Sequence, residues 1–266
     1  MYNFTYHRPT GLRQAGNMLT KLEDAKLLAG GQTLIPVMKQ RLASPANIVD
    51  LNRIDGLSGI ELKGRSLVIG AMTRHVEVAY SDVVKTNLPA LAELAEMVGD
   101  PHVRHRGTLG GSIANNDPNA DYPAACLGLG ATIITTKRRI PADDFFKGMF
   151  ETALEPDEII TKVNFPLAKK AGYIKFRNPA SRFALVGVFV SKRGSEIRVA
   201  VTGAGASGVF RVASFEEALK KRFAPKSLDG LTVPATGLAS DIHGSAEYRA
   251  HLIGVLAKRA VAKATA

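Results

Sequence analysis

The 266-residue chain is poor in cysteine and aromatic residues: it has one cysteine, Cys126, no tryptophan, and an aromatic content of 6%. A single thiol cannot form an internal disulfide, and it cannot supply the four cysteines that an iron–sulfur cluster usually needs. Disulfide-stapled scaffolds and iron–sulfur carriers are therefore excluded. Cys126 lies in an apolar run at 124–129, which predicts a core residue.

Long hydrophobic runs are also missing. The longest uncharged stretch that follows Asp121 covers residues 122–136, contains Pro123 and ends in threonines, so it is too short to span a bilayer. The first residues, MYNFTYHRPTGLRQ, have no apolar segment typical of a signal peptide. These features predict a cytoplasmic protein without a membrane span.

Acidic residues are fewer than basic ones: 24 Asp and Glu against 35 Lys and Arg give a formal net charge of +11. The basic residues fall into small groups that are not interleaved with aromatic side chains, as a base-stacking surface would require. We therefore expect no nucleic-acid binding, although a basic binding module remains an alternative that a salt series with DNA would test. The histidines show no metal-ligand spacing, so no metal site is predicted.

The hydrophobic pattern predicts an α+β fold without a regular βαβ alternation. Helices are expected at residues 12–22, 33–42, 88–98, 214–222 and 245–264, with Thr33 and Ser214 as N-caps. Strands are expected at residues 25–29, 47–51, 60–62, 67–69, 131–136, 159–165, 173–176, 185–190 and 197–201. The segment 107–121 is expected to be a long loop because it is rich in Gly and Asn.

The first motif of interest, AGGQTLIP at residues 29–36, places a double glycine between a buried strand and a helix. Glycine allows a ligand to approach the main chain, and N–H groups at such a turn can bind phosphate without a basic side chain. The alternative is an ordinary strand–turn–helix corner, since Gly-Gly turns are common.

The second motif, GTLGGSIANNDPNAD at residues 107–121, combines glycines, hydroxyls, amides and carboxylates. Such a segment could wrap a diphosphate through N–H and hydroxyl donors while a carboxylate accepts from a ribose. The alternative is a surface loop with Asx turns. Ile113, Ala114 and Pro118 favour partial burial, and buried polar groups need partners that a ligand would provide.

A third glycine segment, Gly203 to Gly208, formally reads G-x-G-x-x-G after a predicted strand, with Asp229 further on. A nicotinamide-dependent dehydrogenase is therefore the alternative function. A true dinucleotide fingerprint opens directly into a helix, whereas residues 209–212 (VFRV) are typical of a strand.

The two double-glycine motifs, together with the segments 37–42 (VMKQRL), 48–51 (IVDL) and 240–249 (SDIHGSAEYR), resemble the FAD-binding medium subunit of the molybdenum hydroxylases, the family of aerobic carbon monoxide dehydrogenase and xanthine dehydrogenase. The resemblance implies a vanillyl-alcohol-oxidase (PCMH)-type FAD-binding fold of two subdomains, at 1–54 and 55–168. It further implies a C-terminal α+β domain at 169–266 with a three-stranded antiparallel sheet.

The resemblance also implies the site. Residues expected to bind FAD are Ala29, Gly30, Gly31, Gln32, Thr33, Leu34, Thr108, Gly110, Gly111, Ser112 and Asn115. Of these, Gly30, Gly31, Gln32 and Thr33 would hold the diphosphate, and Thr108, Gly111, Ser112 and Asn115 would complete its cradle. Asp121 would accept from a ribose hydroxyl, and Lys175 would lie near the flavin, the alternative for Lys175 being a solvated lysine at a strand edge. No residue of this chain is expected to be catalytic.

The function implied by the resemblance is electron transfer within an oxidoreductase complex. An iron–sulfur small subunit and a molybdopterin-containing large subunit would be the partners, in a dimer of heterotrimers. The substrate would bind another chain, and the external electron acceptor stays open between NAD, a quinone, a cytochrome and oxygen.

Overall fold

The computed structural model describes the whole chain, residues 1–266, as helices and strands arranged around four sheets. The elements of the first 168 residues are β1 (Thr5–His7), α1 (Leu12–Lys21), β2 (Ala25–Leu28), α2 (Leu34–Lys39), β3 (Asn47–Asp50), β4 (Ile60–Lys63), β5 (Ser66–Gly70), α3 (His75–Tyr80), α4 (Asp82–Asn87), α5 (Pro89–Glu96), α6 (Pro101–Arg106), α7 (Leu109–Asn115), α8 (Tyr122–Leu129), β6 (Thr132–Thr135), β7 (Arg139–Pro141), α9 (Ala142–Phe145), β8 (Phe146–Gly148), β9 (Glu151–Thr152) and β10 (Ile160–Pro166). The remaining elements are β11 (Lys170–Arg177), β12 (Ala184–Arg193), β13 (Glu196–Thr202), β14 (Phe210–Arg211), α10 (Ala213–Lys221), a 3₁₀ turn at Pro225–Leu228 and α11 (Ala246–Thr265).

The N-terminal sheet is small and parallel, in the order β1-β3-β2. Helix α1 turns one stripe of side chains inward, so that Ala15 and Val49 are completely buried in a common apolar cluster. The connection from β2 to α2 carries the first double glycine at the carboxyl end of β2. The predicted N-cap Thr33 does precede α2, but its side chain accepts no capping hydrogen bond and the helix ends before residue 42.

The second sheet is antiparallel, in the order β4-β5-β10-β6-β7. Alternate residues of β5, β6 and β10 point inward and join the largest apolar cluster together with α5, α7 and α8. Helix α8 is buried along its whole length, and it contains Cys126, the core residue predicted from the sequence. The residues that join β5 to α3 lie beside the second double glycine, since the Gly110 N–H donates to the Ala71 carbonyl.

The C-terminal sheet is antiparallel, in the order β11-β12-β13-β14, and α11 packs on β11 and β12. The expected three-stranded sheet thus gains a fourth, two-residue strand. It forms because the segment 203–208 folds back, which lets Phe210 and Arg211 pair with Val201 and Ala200. No helix is long and apolar enough to cross a bilayer.

Two local predictions are wrong. The segment 107–121 is not one long loop: it contains α7, because the Thr108 side chain caps the helix and Leu109 and Ile113, four residues apart, are buried on one face. Helix α10 begins at Ala213 with no side-chain cap, so Ser214 is not its N-cap. The capping box expected from Ser214 and Glu217 does not form: Glu217 accepts from Lys220, and the neighbouring Glu216 accepts from the Val199 N–H across the core.

Candidate cofactor-binding site

The first glycine segment presents a row of free backbone donors. None of the N–H groups of residues 30–34 donates a hydrogen bond within the protein. Gly31 has φ of 74°, a conformation that L side chains rarely adopt, and its carbonyl accepts from the Ile35 N–H at 3.1 Å. Gly30 and Gly31 are half-buried, whereas Gln32 and Thr33 are exposed. The turn therefore offers accessible main-chain donors that an anion can bind.

The second glycine segment is fixed from behind by the residues that follow β5. The N–H groups of Leu109 and Gly110 donate to the carbonyls of Thr73 and Ala71, at 3.0 and 2.8 Å. Thr108 accepts the Gly111 N–H through its hydroxyl oxygen at 3.1 Å, while its own N–H has no acceptor. This half of the site is a rigid support rather than a second row of free donors.

The two segments touch, although more than 70 residues separate them in the chain. A Cβ built on Gly30 would lie 2.1 Å from the Arg106 carbonyl oxygen and 2.7 Å from the Gly107 Cα. A Cβ built on Gly111 would lie 3.5 Å from the Cβ of Ala29. At Gly30, therefore, backbone packs directly on backbone, and the absence of a Cβ on Gly30 permits this contact.

This arrangement fits a dinucleotide diphosphate. The free N–H groups of residues 30–34 lie beside the start of α7, and neither residues 29–34 nor residues 106–115 contain a carboxylate that would repel phosphate. No Lys or Arg lies inside the first segment, so amide hydrogens must carry the charge recognition there.

A separate polar cluster links the C-terminal sheet to the helices. The Lys175 ammonium donates to the Asp121 carboxylate at 2.8 Å and to the Met97 carbonyl at 3.1 Å, and the Tyr173 hydroxyl donates to Asp121 at 2.5 Å. The side chain of Lys175 is fully buried and that of Asp121 is 3% exposed. Burial raises the pKa of Asp121, while the charge of Lys175 opposes the rise. The alternative of a solvated strand-edge lysine is therefore wrong.

Comparison with known proteins identifies the family of this chain. A sequence model of the family described as FAD binding domain in molybdopterin dehydrogenase matches residues 2–168. The chain belongs to this family. It is thus an FAD-binding medium subunit of the molybdenum hydroxylase family, and the predicted cofactor, FAD, and the oxidoreductase class are confirmed.

The relatives match over nearly their full length. The chain is 37% identical to the carbon monoxide dehydrogenase medium chain of Hydrogenophaga pseudoflava, covering 97% of this chain and 96% of the relative. It is 35% identical to the nicotine 6-hydroxylase medium subunit of Paenarthrobacter nicotinovorans, covering 98% and 97%. Among solved structures, carbon monoxide dehydrogenase from H. pseudoflava superimposes with a TM-score of 0.88 at 35% identity, covering 99% and 98% of the two chains. Quinoline 2-oxidoreductase from Pseudomonas putida 86 gives 0.84 at 28%, covering 99% and 97%. The predicted fold class is confirmed by these matches.

Within this family fold, the predicted site residues form two groups. The structure brings Gly30 against Arg106 and Gly107 and Ala29 close to Gly111, and it places Thr108 at the N-cap and Asn115 at the end of α7. The side chains of Ser112 and Asn115 make no hydrogen bond within the protein, although both residues are half-buried. Asp121, the last residue of the second motif, forms a buried pair with Lys175, and no side-chain hydrogen bond joins that pair to residues 29–34 or 108–115.

Two residues that the sequence did not single out support the glycine segments, one behind each. The Asn52 amide donates to the Ala29 carbonyl at 3.0 Å and to the Asp50 carboxylate at 2.6 Å. His75, at the start of α3, lies behind the second segment, and its N–H donates to the Gly107 carbonyl at 3.0 Å. Asp50 and Asn52 carry an Asx-turn signal after β3, which could have pointed to them, whereas a lone histidine carries none.

The third glycine segment lacks the geometry of a dinucleotide fingerprint. Residues 203–208 leave β13 and lead into β14, and α10 begins only at Ala213. The carbonyl of Gly203 accepts from the buried Arg249, and its N–H donates to Pro118. No helix N-terminus follows the glycines, so the nicotinamide alternative has no structural support.

Proposed function

We propose that this chain carries electrons through its bound FAD, between the iron–sulfur clusters of a partner subunit and an external acceptor, in a complex that oxidises substrate at a molybdenum cofactor. The relatives are named as medium chains or medium subunits of carbon monoxide dehydrogenase and nicotine 6-hydroxylase, which supports a subunit role. Which substrate the complex oxidises is a property of another chain in this proposal.

The observation that carries the proposal is the contact between the two glycine segments. Residues 30–34 supply unbonded N–H groups, and Gly30 rests directly on Arg106 and Gly107. We assign the diphosphate of FAD to Gly30, Gly31 and the residues predicted with them, which are Ala29, Gln32, Thr33, Leu34, Thr108, Gly110, Gly111, Ser112 and Asn115. Asn52 holds the Ala29 carbonyl just before the free amide donors, and the 71–75 backbone holds the segment on which Gly30 rests, so these donors lose little freedom on binding.

The flavin end of the site is assigned to the Asp121–Lys175 pair. FAD, when bound, supplies the redox chemistry, because none of the side chains of this protein is itself a redox centre. The side chain of Lys175 is fully buried, and its Nζ donates to the Asp121 carboxylate and the Met97 carbonyl. We propose that Lys175 lies near the flavin and that Asp121, besides holding Lys175, accepts from a ribose hydroxyl.

The proposed partners follow from the lack of cysteine ligands for an iron–sulfur cluster in this chain. Its one cysteine is completely buried in α8, so iron–sulfur clusters must lie on another polypeptide. We propose an iron–sulfur small subunit and a molybdopterin large subunit as the partners, assembled as a dimer of heterotrimers in the cytoplasm. We also propose domain limits of 1–54, 55–168 and 169–266, which limited proteolysis can test.

Two experiments test the proposal. The purified protein titrated with FAD should show flavin absorption bands and quenched flavin fluorescence at a ratio of one FAD per chain; absence of binding overturns the assignment of the site. A tagged protein purified from its own cells should bring down two further chains, with iron and molybdenum in the same fraction. Recovery of a flavoprotein alone, without iron or molybdenum, would overturn the electron-transfer proposal while leaving FAD binding intact.

A further inference from the structure

His75 occupies an unusual position directly behind the second glycine segment. It is 4% exposed, and its backbone N–H donates to the Gly107 carbonyl at 3.0 Å. Its ring lies against the Cα of the same glycine, because a Cβ built on Gly107 would be 2.6 Å from Nε2 and 2.8 Å from Cδ2 of His75. The backbone N–H and the ring of His75 thus both contact Gly107.

Gly107 also meets the first glycine segment. A Cβ built on Gly30 would lie 2.7 Å from the Cα of Gly107. Gly107 is therefore in close contact with both His75 and Gly30, and it is the residue through which the ring of His75 can act on the first segment. Because packed atoms leave little free space, a change in the ring is expected to shift Gly107 relative to Gly30.

The other neighbours of the ring lead toward the Asp121–Lys175 pair. The rings of His75 and Tyr122 have centroids 5.3 Å apart, and Tyr122 directly follows Asp121 in the chain. The Nδ1 atom of His75 is buried without a hydrogen-bond partner. Burial, assisted by the charge of Arg104, lowers the pKa of His75 to about 4, so the ring is neutral at neutral pH.

We propose that His75 is a positioning residue for FAD: its uncharged ring acts as a wedge that holds Gly107 against Gly30 and so sets the width of the diphosphate cradle. The proposal rests on the assignment of the cradle made above. In this proposal His75 acts on the cradle through Gly107, and the other ring contact of His75 is with Tyr122. The proposal predicts that substitutions of His75 and of Gly107 have coupled effects on the affinity for FAD.

The test is a double-mutant cycle measured as FAD affinity by quenching of flavin fluorescence. Gly107→Ala puts a methyl group into the ring of His75 and should weaken FAD binding by roughly tenfold. His75→Ala removes the wedge and should also weaken binding. In the double variant, the small side chain at position 75 makes room for the methyl group added at position 107. The double variant should therefore bind FAD roughly fivefold or more tightly than expected if the two single effects were independent. Additive effects would overturn the proposal.

Two further variants keep the result interpretable. His75→Gln restores a flat neutral group of similar reach and should recover most of the affinity lost in His75→Ala. If His75→Ala fails to fold, the cycle is run with His75→Gln, whose flexible chain yields to the methyl of Gly107→Ala. Val261→Ala, in the core of the C-terminal domain, is the control for lost stability and should leave FAD affinity unchanged; a comparable loss there would overturn a role specific to His75.

Failure of this inference and failure of the cradle give different results. Wild-type FAD affinity in Gly30→Ala would overturn the cradle itself. Loss of affinity in Gly30→Ala together with wild-type affinity in every His75 variant would retain the cradle and reject His75 as its wedge.

Discussion

The substitution Gly30→Ala tests the contact between the two glycine segments with the addition of one methyl group. The new Cβ would start 2.1 Å from the Arg106 oxygen and 2.7 Å from both the Arg106 carbonyl carbon and the Gly107 Cα. Ordinary contacts between such atoms lie near 3.5 Å, so the segments must separate by about 1 Å. Every one of these neighbours is backbone, and none can rotate away as the end of a side chain would.

The magnitude follows from that displacement. Overpacking of this kind costs about 1–3 kcal/mol. Where FAD binding has to supply this energy to bring the segments together again, affinity falls by roughly 10- to 100-fold. The measurement is titration of the apoprotein with FAD, followed by flavin fluorescence, with circular dichroism to confirm that the variant is folded.

A matched control is available in the turn between β4 and β5. Gly64 has φ of 57° and open space around its Cα, so Gly64→Ala meets a backbone penalty of about 1–2 kcal/mol without touching the site. This control should lower the midpoint of thermal unfolding and leave FAD affinity unchanged. Folded Gly30→Ala protein that binds FAD within about twofold of wild type would refute the reasoning.

The remaining predictions concern the same site and the stability of the fold. Gly31→Ala should weaken FAD binding by roughly tenfold in the same titration, because φ of 74° strains any L side chain and relief of that strain would reorient the N–H groups of residues 30–34. Gly111→Val should block FAD binding. Tight binding of FAD by both variants would contradict the cradle. Lys175→Met should cost about 3–5 kcal/mol in urea unfolding because Asp121 is left buried without its cationic partner, and adding Asp121→Asn should recover part of the loss; an unchanged midpoint would contradict the pair. Hydrogen bonds from Arg138, with others, hold the pKa of Glu158 at about 2, below its ordinary 4.5, so its stabilisation is present above pH 4.5 and lost between pH 4.5 and about 2. Glu158→Gln should therefore flatten the acid side of the stability curve over this range, and an unaltered acid slope would show that this carboxylate does not set it.

The glycine segments show what local sequence can and cannot specify. The double glycines of residues 29–36 and 107–121 marked both halves of the site, because close approach of backbone to backbone requires glycine. Their contact through Gly30 and Gly107 depends on how the two sheets are placed, which no local pattern encodes. The helix α7 was hidden for a related reason: glycines inside it reduce helix propensity, and burial of Leu109 and Ile113 overrides that preference.

The polar partners of the site were harder to predict than its backbone. Lys175 lies in the predicted strand 173–176, so its strand position was evident from the sequence but the burial of its side chain was not. Its partner Asp121 is 54 residues away in the chain. The proposed role of His75 was equally hard to predict, because it comes from packing on Gly107 and not from a hydrogen-bonding pattern visible in the sequence.

Hydrogen–deuterium exchange with and without FAD tests the central claim most directly. The amides of residues 30–34 have no acceptor within the protein and should exchange quickly without cofactor. Addition of FAD should slow exchange in residues 30–34 and in residues 108–112 together, since both segments are proposed to hold one diphosphate. FAD that binds stoichiometrically while either segment keeps its original exchange rate would contradict the account.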